Sequence, residues 1–430
     1  MYGGNMNKQI IMSGVFLICV INVAHADVYV ALQHVYDKNP VINQGRTGVD
    51  LAVANVKTAM TNWQPYVGVS GNIGAARTKV DEYTFDYSPL QYGVEFQQNI
   101  FQGGANLARI KSSKSELNAA KANLSATQQE VFLDAINAYI NVLNTREVLN
   151  LNKNNQVVLT EYYNQVRDRQ SLGVLTQTDV SQAAARLEMA KYSVADAGAA
   201  FDNALETFKR ICNECDMDFV DINLSPVSGL FPYDIDVAEE YALRHHPILI
   251  ALGEYEDAAR QNINVAYQSI LPDIDVRGAI QQMDDVPYLD EIRDSRIGVY
   301  VRVPLYDKGT AFANADKVRA NIADIQDKII DARRVVIENL RSAWNIYNAQ
   351  EYAISAAAAS VDANRLALDG MRDEQARGRR TVLDVLNAEQ DLLDSRVAHT
   401  RAIHSRISAY FAILAATGKL TPENLGLVAE

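Results

Sequence analysis

The amino-acid sequence predicts a mixed α and β fold made of two similar halves, each with one β-hairpin followed by one long α-helical hairpin. Three observations support this prediction. The sequence repeats itself at an offset of 205 residues. In each copy, two segments alternate apolar and polar residues, which is typical of half-exposed strands. Each copy then runs for 69 steps between two glycines, Gly104 to Gly173 and Gly309 to Gly378, without a proline, which favours one uninterrupted helix.

The N-terminal segment has the pattern of an export signal. Lys8 precedes a largely apolar run of 14 residues, from Ile10 to Val23, and Ala24-His25-Ala26 supplies the small residues that a signal peptidase accepts. The run is too short to span a bilayer. We therefore predict that residues 1–26 are a signal peptide, with Met1 or Met6 as the start. A buried N-terminal helix is the alternative.

Composition excludes several classes of protein. The chain has 40 Lys and Arg against 53 Asp and Glu, a net charge of −13, and no long basic run, so nucleic acid is not an expected partner. A hydrophobic content of 48% is too low for a protein of many membrane-spanning helices. Three cysteines cannot form an ordinary metal site unless histidine joins them. Nucleophile elbows, phosphate-binding glycine loops and zinc-protease patterns are absent from the sequence, and uninterrupted helices of 69 residues leave little room for a pocket. We therefore expect no catalytic residue, no cofactor and no enzyme activity.

The repeat defines the organisation of the chain. At the offset of 205 residues, Thr176 falls on Thr381 and Val94 on Val299, whereas Pro65 falls on Pro272, an offset of 207. A loop must therefore differ by two residues between Pro65 and Val94. We predict a first repeat over 27–211, a linker over 212–236, a second repeat over 237–417 and a tail over 418–430.

Each repeat begins with a strand hairpin. The predicted hairpins cover about 65–101 and about 272–305, with polar connections over 81–89 and 284–294. Val67, Val69 and Ile73 alternate with polar neighbours in the first hairpin, and Val299, Val301 and Val303 do so in the second. The chain therefore supplies four strands, each with one apolar and one polar face.

A long helical hairpin follows each pair of strands. Helices over 104–172 and 309–377 would each be about 100 Å long. Their apolar residues recur every seven positions, which indicates coiled-coil-like packing against the return helices predicted over 177–210 and 382–417. Gly173 and Gly378 can take the left-handed conformation that ends a helix. Thr176 with Asp179, and Thr381 with Asp384, resemble capping boxes with Asp in place of Glu.

Four amphipathic strands cannot close a barrel alone. In a membrane, an open sheet edge would leave backbone groups unpaired at several kcal/mol each. Closed barrels need about eight strands or more, so identical chains must supply the missing ones: two chains give eight, three give twelve and four give sixteen. We expect apolar residues to face lipid and a polar face to line a water-filled passage. That polar face holds Glu95, Asp273, Asp275, Arg277 and Arg302.

This layout resembles the TolC family of outer-membrane channel-tunnel proteins from about residue 27 to the C-terminus. The most specific stretches are 172–180 (LGVLTQTDV), 378–388 (GRRTVLDVLNA) and 101–104 (FQGG). The resemblance implies a homotrimer with a 12-stranded outer-membrane barrel and a periplasmic helical tunnel. It also implies a periplasmic adaptor and an inner-membrane transporter of the RND, ABC or MFS type as partners, in drug efflux or type I protein secretion. The strand-to-helix junctions would lie at Gly103, Gly104 and Gly309.

The resemblance also implies a gate where the helical hairpins turn. Arg380 matches the arginine that links the two hairpins, and its partner matches Asp179, together with Thr178. Asp384 matches an aspartate of an acidic ring, whereas Asn387 and Gln375 stand where the family has an aspartate and a tyrosine. The alternative is that Asp179 and Asp384 only stabilise the ends of their helices.

Other features favour plain structural roles. In an oxidising periplasm, Cys212 and Cys215 favour a local disulfide or structural pair over a redox or metal centre. His246 precedes Pro247 as Asn39 precedes Pro40, which favours a helix start over metal binding. The competing function is that of a periplasmic coiled-coil structural or adaptor protein without a pore.

Overall fold

The computed structural model describes residues 28–427, except 214, 216, 287 and 288. The predicted signal peptide, residues 1–26, lies outside the described residues. The first half contains α1 (Val28–Lys38), α2 (Pro40–Thr61), β1 (Tyr66–Ile73), β2 (Ala76–Val80), β3 (Tyr83–Tyr87), β4 (Leu90–Gln102), α3 (Ala105–Ser171) and α4 (Gln177–Cys212). The second half contains α5 (Ile235–His245), α6 (Pro247–Ala266), β5 (Asp273–Val286), β6 (Leu289–Arg302), α7 (Thr310–Ala376) and α8 (Val382–Ala416).

The two long helices have the same length. Each of α3 and α7 has 67 residues and is about 100 Å long. α4 packs along α3 and α8 packs along α7, which gives two antiparallel helical hairpins. The predicted fold class of four strands and two long helical hairpins is confirmed. None of the helices in the described part of the chain is both long and apolar enough to cross a membrane.

The strands form one antiparallel sheet and a separate ribbon. The sheet has the order β1-β4-β5-β6, and β2 pairs with β3 beyond it. The sequence predicted a polar connection over 81–89, but Tyr83, Phe85 and Tyr87 alternate along β3 and pair with β2. In the second half, β5 continues to Val286 and β6 begins at Leu289, so most of the connection predicted over 284–294 is strand. Cross-strand pairing keeps these polar residues extended.

Short helices precede each pair of sheet strands and begin in the same way. Asn39 caps α2 by accepting a hydrogen bond from the backbone N of Val41 at 2.8 Å. His246 caps α6 by accepting one from the backbone N of Ile248 through Nδ1 at 3.4 Å. Burial lowers the pKa of His246, which keeps the imidazole in the neutral form that can accept. The predicted helix-start role of this histidine is confirmed.

The main core lies where α1 and the segment after α4 pack against α3, α4 and α8. Tyr139 and Phe132 of α3 are fully buried there with Phe208 of α4 and Leu414 of α8. The hydroxyl of Tyr139 donates to the carbonyl of Val220 and accepts from its backbone N, so the segment after α4 is held against α3. A disulfide joins Cys212 and Cys215 at the end of α4, as the sequence favoured.

Candidate functional site

One face of the four-stranded sheet is apolar and exposed. Val69 of β1 lies opposite Val94 of β4, and Val94 lies opposite Ile280 of β5. The same face continues through Ile297 of β6, which is opposite Gly278. Val69 is 83% exposed and Ile297 is 80% exposed. A contiguous apolar face of this kind marks a surface that contacts lipid or another protein.

The opposite face of the sheet is polar. All five charged residues that the sequence assigned to it lie there, since Glu95, Asp275, Arg277 and Arg302 share the face of Asp273 in the strand register. Asp275 is buried and accepts hydrogen bonds from Arg277 Nη2 at 2.8 Å and from Asn99 Nδ2 at 3.0 Å. Arg277 thus neutralises the buried Asp275, and the polar and charged side chains suit this face to contact with water.

Both sides of the sheet end in strands with an open edge. β1 pairs only with β4, and β6 pairs only with β5, within the described residues. Val69, Ile297 and Val299 keep the apolar face fully exposed up to these edges. Backbone N–H and C=O groups at such edges are ready to pair with another strand.

Residues in the left-handed backbone conformation lie between the strands and the long helices. Gly103 and Gly104 have φ of 58° and 78° between β4 and α3, and Gly309 has φ of 79° before α7. A side chain at Gly103 would collide with Leu271, so a glycine is required there. At the position equivalent to Gly103, the second half has Lys308, which takes the same conformation with φ of 63°. Such a backbone is unfavourable for lysine.

The two hairpin turns are the same at atomic level. Gly173 and Gly378 have φ of 76° and 75°. Thr176 Oγ1 accepts from the backbone N of Asp179 at 3.2 Å, and Asp179 Oδ2 accepts from the backbone N of Thr176 at 2.9 Å. Thr381 and Asp384 repeat both bonds at the same distances. The predicted capping boxes are therefore confirmed.

The structure places the predicted gate residues in different surroundings. Asp384 accepts from Thr381, and hydrogen bonds from the Thr381 backbone and side chain, followed by the nearby Arg380, hold the pKa of Asp384 below its usual value. Arg380 Nε donates to Glu374 Oε2 at 2.8 Å, and Asp179 is engaged by Thr176. In the described part of one chain, Arg380 and Asp179 are thus not paired, because each finds a closer partner in its own turn.

Other side chains connect the two hairpins. Arg186 Nη2 of α4 donates to Asn387 Oδ1 of α8 at 2.8 Å. Arg169 Nη1 of α3 donates to Gln375 Oε1 of α7 at 3.2 Å. Thr178 is exposed beside these contacts. Neither arginine was among the site residues predicted from the sequence, because the pattern along one helix does not show which helix of the other repeat lies beside it.

An apolar and a polar cluster hold the tip behind these links. Val382 and Leu386 of the second hairpin pack on Leu159, Val166 and Val180 of the first. Beside them, Arg372 forms an ion pair with the buried Glu389. Burial of Tyr162 next to this pair raises the pKa of its hydroxyl to about 12, because the charged form is poorly solvated there. The tip of one chain is thus a packed unit of both hairpins.

Comparison with known families decides the identity of this architecture. The profile described as "Outer membrane efflux protein" matches residues 31–214 and 240–419. The chain belongs to the outer membrane efflux protein family. The predicted resemblance to the TolC family is therefore confirmed, and the two matched segments correspond to the two halves of the duplication.

Individual relatives of this efflux protein agree with the family match. It is 28% identical to the outer membrane efflux protein BepC of Brucella suis, over 92% of this chain and 86% of that protein. It is 22% identical to the outer membrane protein TolC of Escherichia coli, over 90% of this chain and 81% of TolC. The crystal structure of the Campylobacter jejuni CmeC outer membrane channel has the same fold, with a TM-score of 0.82 at 16% identity, covering 92% of this chain and 86% of CmeC.

The family match also locates the efflux protein in the cell. It is an outer-membrane protein, and its long helices extend into the periplasm. Members of this family are channel and transport proteins.

Proposed function

We propose that three copies of this efflux protein form the outer-membrane exit duct of a tripartite efflux pump or a type I secretion system. The observation that carries the proposal is the four-stranded sheet, which has one exposed apolar face, one charged face and an open edge on each side. In a membrane, the backbone N–H and C=O groups at the open edges of such a sheet need hydrogen bonds from another strand.

Closure follows from the strand order. β1 and β6 are at opposite edges of the sheet, so β1 of one chain can pair with β6 of the next around a rotation axis. Three chains with four strands each give 12 strands, within the range of known outer-membrane barrels. The polar face with Glu95 and Arg277 then lines the lumen.

The helices would continue this passage into the periplasm. α3 follows β4 after two residues and α7 follows β6 after a connection over 303–309, and each helix extends about 100 Å. We infer a passive conduit, because the described residues along this path form packed helices and strands. A periplasmic adaptor and an inner-membrane transporter of the RND, ABC or MFS type would deliver the substrate. BepC, a relative, is named as an efflux protein, which supports the efflux arm of the proposal.

The hairpin turns would form the periplasmic gate. In a trimer, the three copies of Asp384 and Asn387 would surround the axis, and Arg380 would approach Asp179 and Thr178 across the hairpins. The support is that these residues lie in or shortly after the two hairpin turns and that polar links already join the two hairpins of one chain. Opening would require these links to separate.

A pair of substitutions tests the membrane assignment. Val69→Lys puts a charge on the apolar face and Ser70→Lys puts one on the polar face of the same strand. A lysine on the lipid face costs about 2–4 kcal/mol at the membrane centre, and the trimer holds three. We expect Val69→Lys to abolish heat-modifiable trimers in the outer-membrane fraction, whereas Ser70→Lys retains them.

Conductance in planar lipid bilayers completes the test. The wild-type trimer and Ser70→Lys should give discrete single-channel currents. A wild-type protein that stays monomeric without detergent, or trimers that carry no current, would contradict the duct and support the periplasmic coiled-coil alternative. Equal trimer yield for the two lysine variants would contradict the assignment of the sheet faces.

A further inference from the structure

Three metal-binding side chains lie together at the end of α4 that is furthest from the tip. Cys212 is the last residue of α4, and Cys215 follows it after a left-handed turn at Asn213. His34 of α1 packs on this turn, and the two sulfurs and an imidazole nitrogen lie within 4.8 Å of one another. Because α4 has 36 residues, this thiol–imidazole group lies about 50 Å from the Thr176 cap.

Two hydrogen bonds fix the position of the group. His34 Nδ1 lies 2.7 Å from the backbone oxygen of Cys212, and Asn39 Nδ2 donates to the backbone oxygen of Ile211 at 2.8 Å. The corner between α1 and α2 therefore holds the last turn of α4. Cys212 is fully buried, whereas His34 and Cys215 are partly exposed, so the group is rigid on one side and accessible on the other.

The distances fit a thiophilic metal ion. His34 Nδ1 lies 3.7 Å from Cys212 Sγ. In a tetrahedral site with Zn–S of about 2.3 Å and Zn–N of about 2.0 Å, these two atoms would be about 3.5 Å apart. The Cα atoms of the cysteines are 5.6 Å apart, so both sulfurs can reach one ion by side-chain rotation. Thiolate and imidazole ligands together favour Zn²⁺ or Cu⁺ over Mg²⁺ and Ca²⁺.

We propose that reduction of the Cys212–Cys215 disulfide creates a binding site for one thiophilic metal ion, held by both cysteines and His34. A dithiol gives two electrons and two protons and becomes a disulfide itself, or a phosphine with one water becomes the phosphine oxide, and in either case the protein disulfide becomes two thiols. Binding of the ion then releases both thiol protons. The neutral imidazole of His34 takes the tautomer with its proton on Nε2, so that Nδ1 leaves the Cys212 carbonyl and binds the ion, and water completes the coordination. The oxidised chain has no such site, so the ion and the disulfide exclude each other. This proposal does not depend on the duct function.

Zinc retention by the full-length protein in detergent tests the site. The protein is reduced with a phosphine, incubated with Zn²⁺, passed through gel filtration without oxygen and measured for zinc and protein. We expect about one Zn²⁺ per chain in the reduced protein and none in the oxidised protein. Cobalt in place of zinc should give the intense thiolate-to-metal absorption of tetrahedral sulfur ligation.

Three variants assign the ligands. Cys215→Ser should abolish retention, and His34→Gln should weaken zinc affinity by at least about 10-fold, since even outer-shell losses have effects of that size. His245→Gln, an exposed histidine on α5, is the matched control and should bind like the wild type. Helical circular dichroism and the elution volume in gel filtration, compared with the wild type, verify folding of each variant. Absence of zinc from the reduced wild type, equal retention by the oxidised protein, or unchanged affinity in His34→Gln would each overturn the proposal.

Discussion

The two halves of the duplication make the same turns but bury very different amounts of their long helices. Among the described residues, α3 has 20 buried positions and α7 has eight, although each helix has 67 residues. α3 packs against α2, α4, α6 and α8, whereas α7 packs mainly against α6 and α8. Equivalent sequences therefore reproduce local geometry, while the position in the assembly determines burial.

The side of α7 that is exposed in a single chain carries large apolar residues. Phe312, Ile346 and Tyr352 of α7 are exposed large apolar residues. Ile346 and Val335 line an open groove of about 800 Å³ that is bounded by α3, α7 and α8. Since α7 is at the edge of the chain next to β6, we expect this side to contact the neighbouring copy in the proposed trimer.

The substitution with the largest expected effect tests whether the exposed side of α7 contacts a neighbouring copy. Ile346→Asp places a carboxylate in the proposed interface, and burial of an unpaired charge costs several kcal/mol per site. We expect the trimer band to disappear from gels run without heating. Tyr233→Asp, at a fully exposed position of the linker, is the control and should leave the band intact. A stable Ile346→Asp trimer would show that the exposed side of α7 faces solvent.

A core substitution compares the two halves at equivalent positions. Phe208 and Ile413 are both fully buried and 205 residues apart, but Phe208 also contacts the rings of Tyr139 and Phe219. Phe208→Ala should lower the free energy of unfolding by about 3–5 kcal/mol, and Ile413→Ala by about 2–5 kcal/mol. The thermal loss of helical circular dichroism gives the ranking. A milder effect for Phe208→Ala would mean that the aromatic cluster relaxes to fill the cavity.

Conductance distinguishes links within one hairpin from links between the two. Arg186 joins the hairpins through Asn387, whereas Arg380 pairs with Glu374 in its own turn. Removal of one such hydrogen bond costs about 1 kcal/mol, which is roughly fivefold in the population of an open tip. Both Arg186→Ala and Arg380→Ser should raise single-channel conductance, and Arg186→Ala should raise it more. The reverse order would indicate that Arg380 has a partner on another chain.

The pH dependence of ion selectivity tests the role of Asp384. We expect cation preference in the wild type and a smaller preference in Asp384→Ala. In one chain the Thr381 hydrogen bonds lower the pKa of Asp384, so its charge and capping persist above about pH 3.9 and are lost as pH falls through the lower folded value. Three carboxylates in a ring would raise at least one pKa above that value. Loss of preference above about pH 4 therefore indicates the ring, and unchanged selectivity in Asp384→Ala contradicts any role in conduction.

The smallest expected effect comes from loss of the capping boxes, which the two halves share. Thr176→Ala and Thr381→Ala each remove one capping box and should destabilise their helix starts by about 0.5–2 kcal/mol. Because the boxes have the same hydrogen bonds, we expect the two losses to be equal within experimental error. Serine at either position should restore stability, as measured by thermal melting. Unequal losses would show that the turns differ in the assembled trimer.

The sequence predicted what depends on local rules. The absence of proline between Gly104 and Gly173 was sufficient to predict α3. The Thr176–Asp179 pattern was sufficient to predict the N-terminal cap of α4. The β2–β3 ribbon was missed because its polar composition hid the alternation of aromatic residues along β3. Arg169 and Arg186 were missed because periodicity within one helix contains no information about which helix of the other repeat lies beside it. That contact depends on tertiary packing.

The equal lengths of α3 and α7 bring the two hairpin turns to the same level. Removal of one heptad from α3 and its matching heptad from α4 would shorten that arm by about 10 Å and leave the other unchanged. The two turns would then reach different levels, and no side chain at the tip could meet its counterpart. Matched deletions in all four helices would instead give a shorter tube with an intact end.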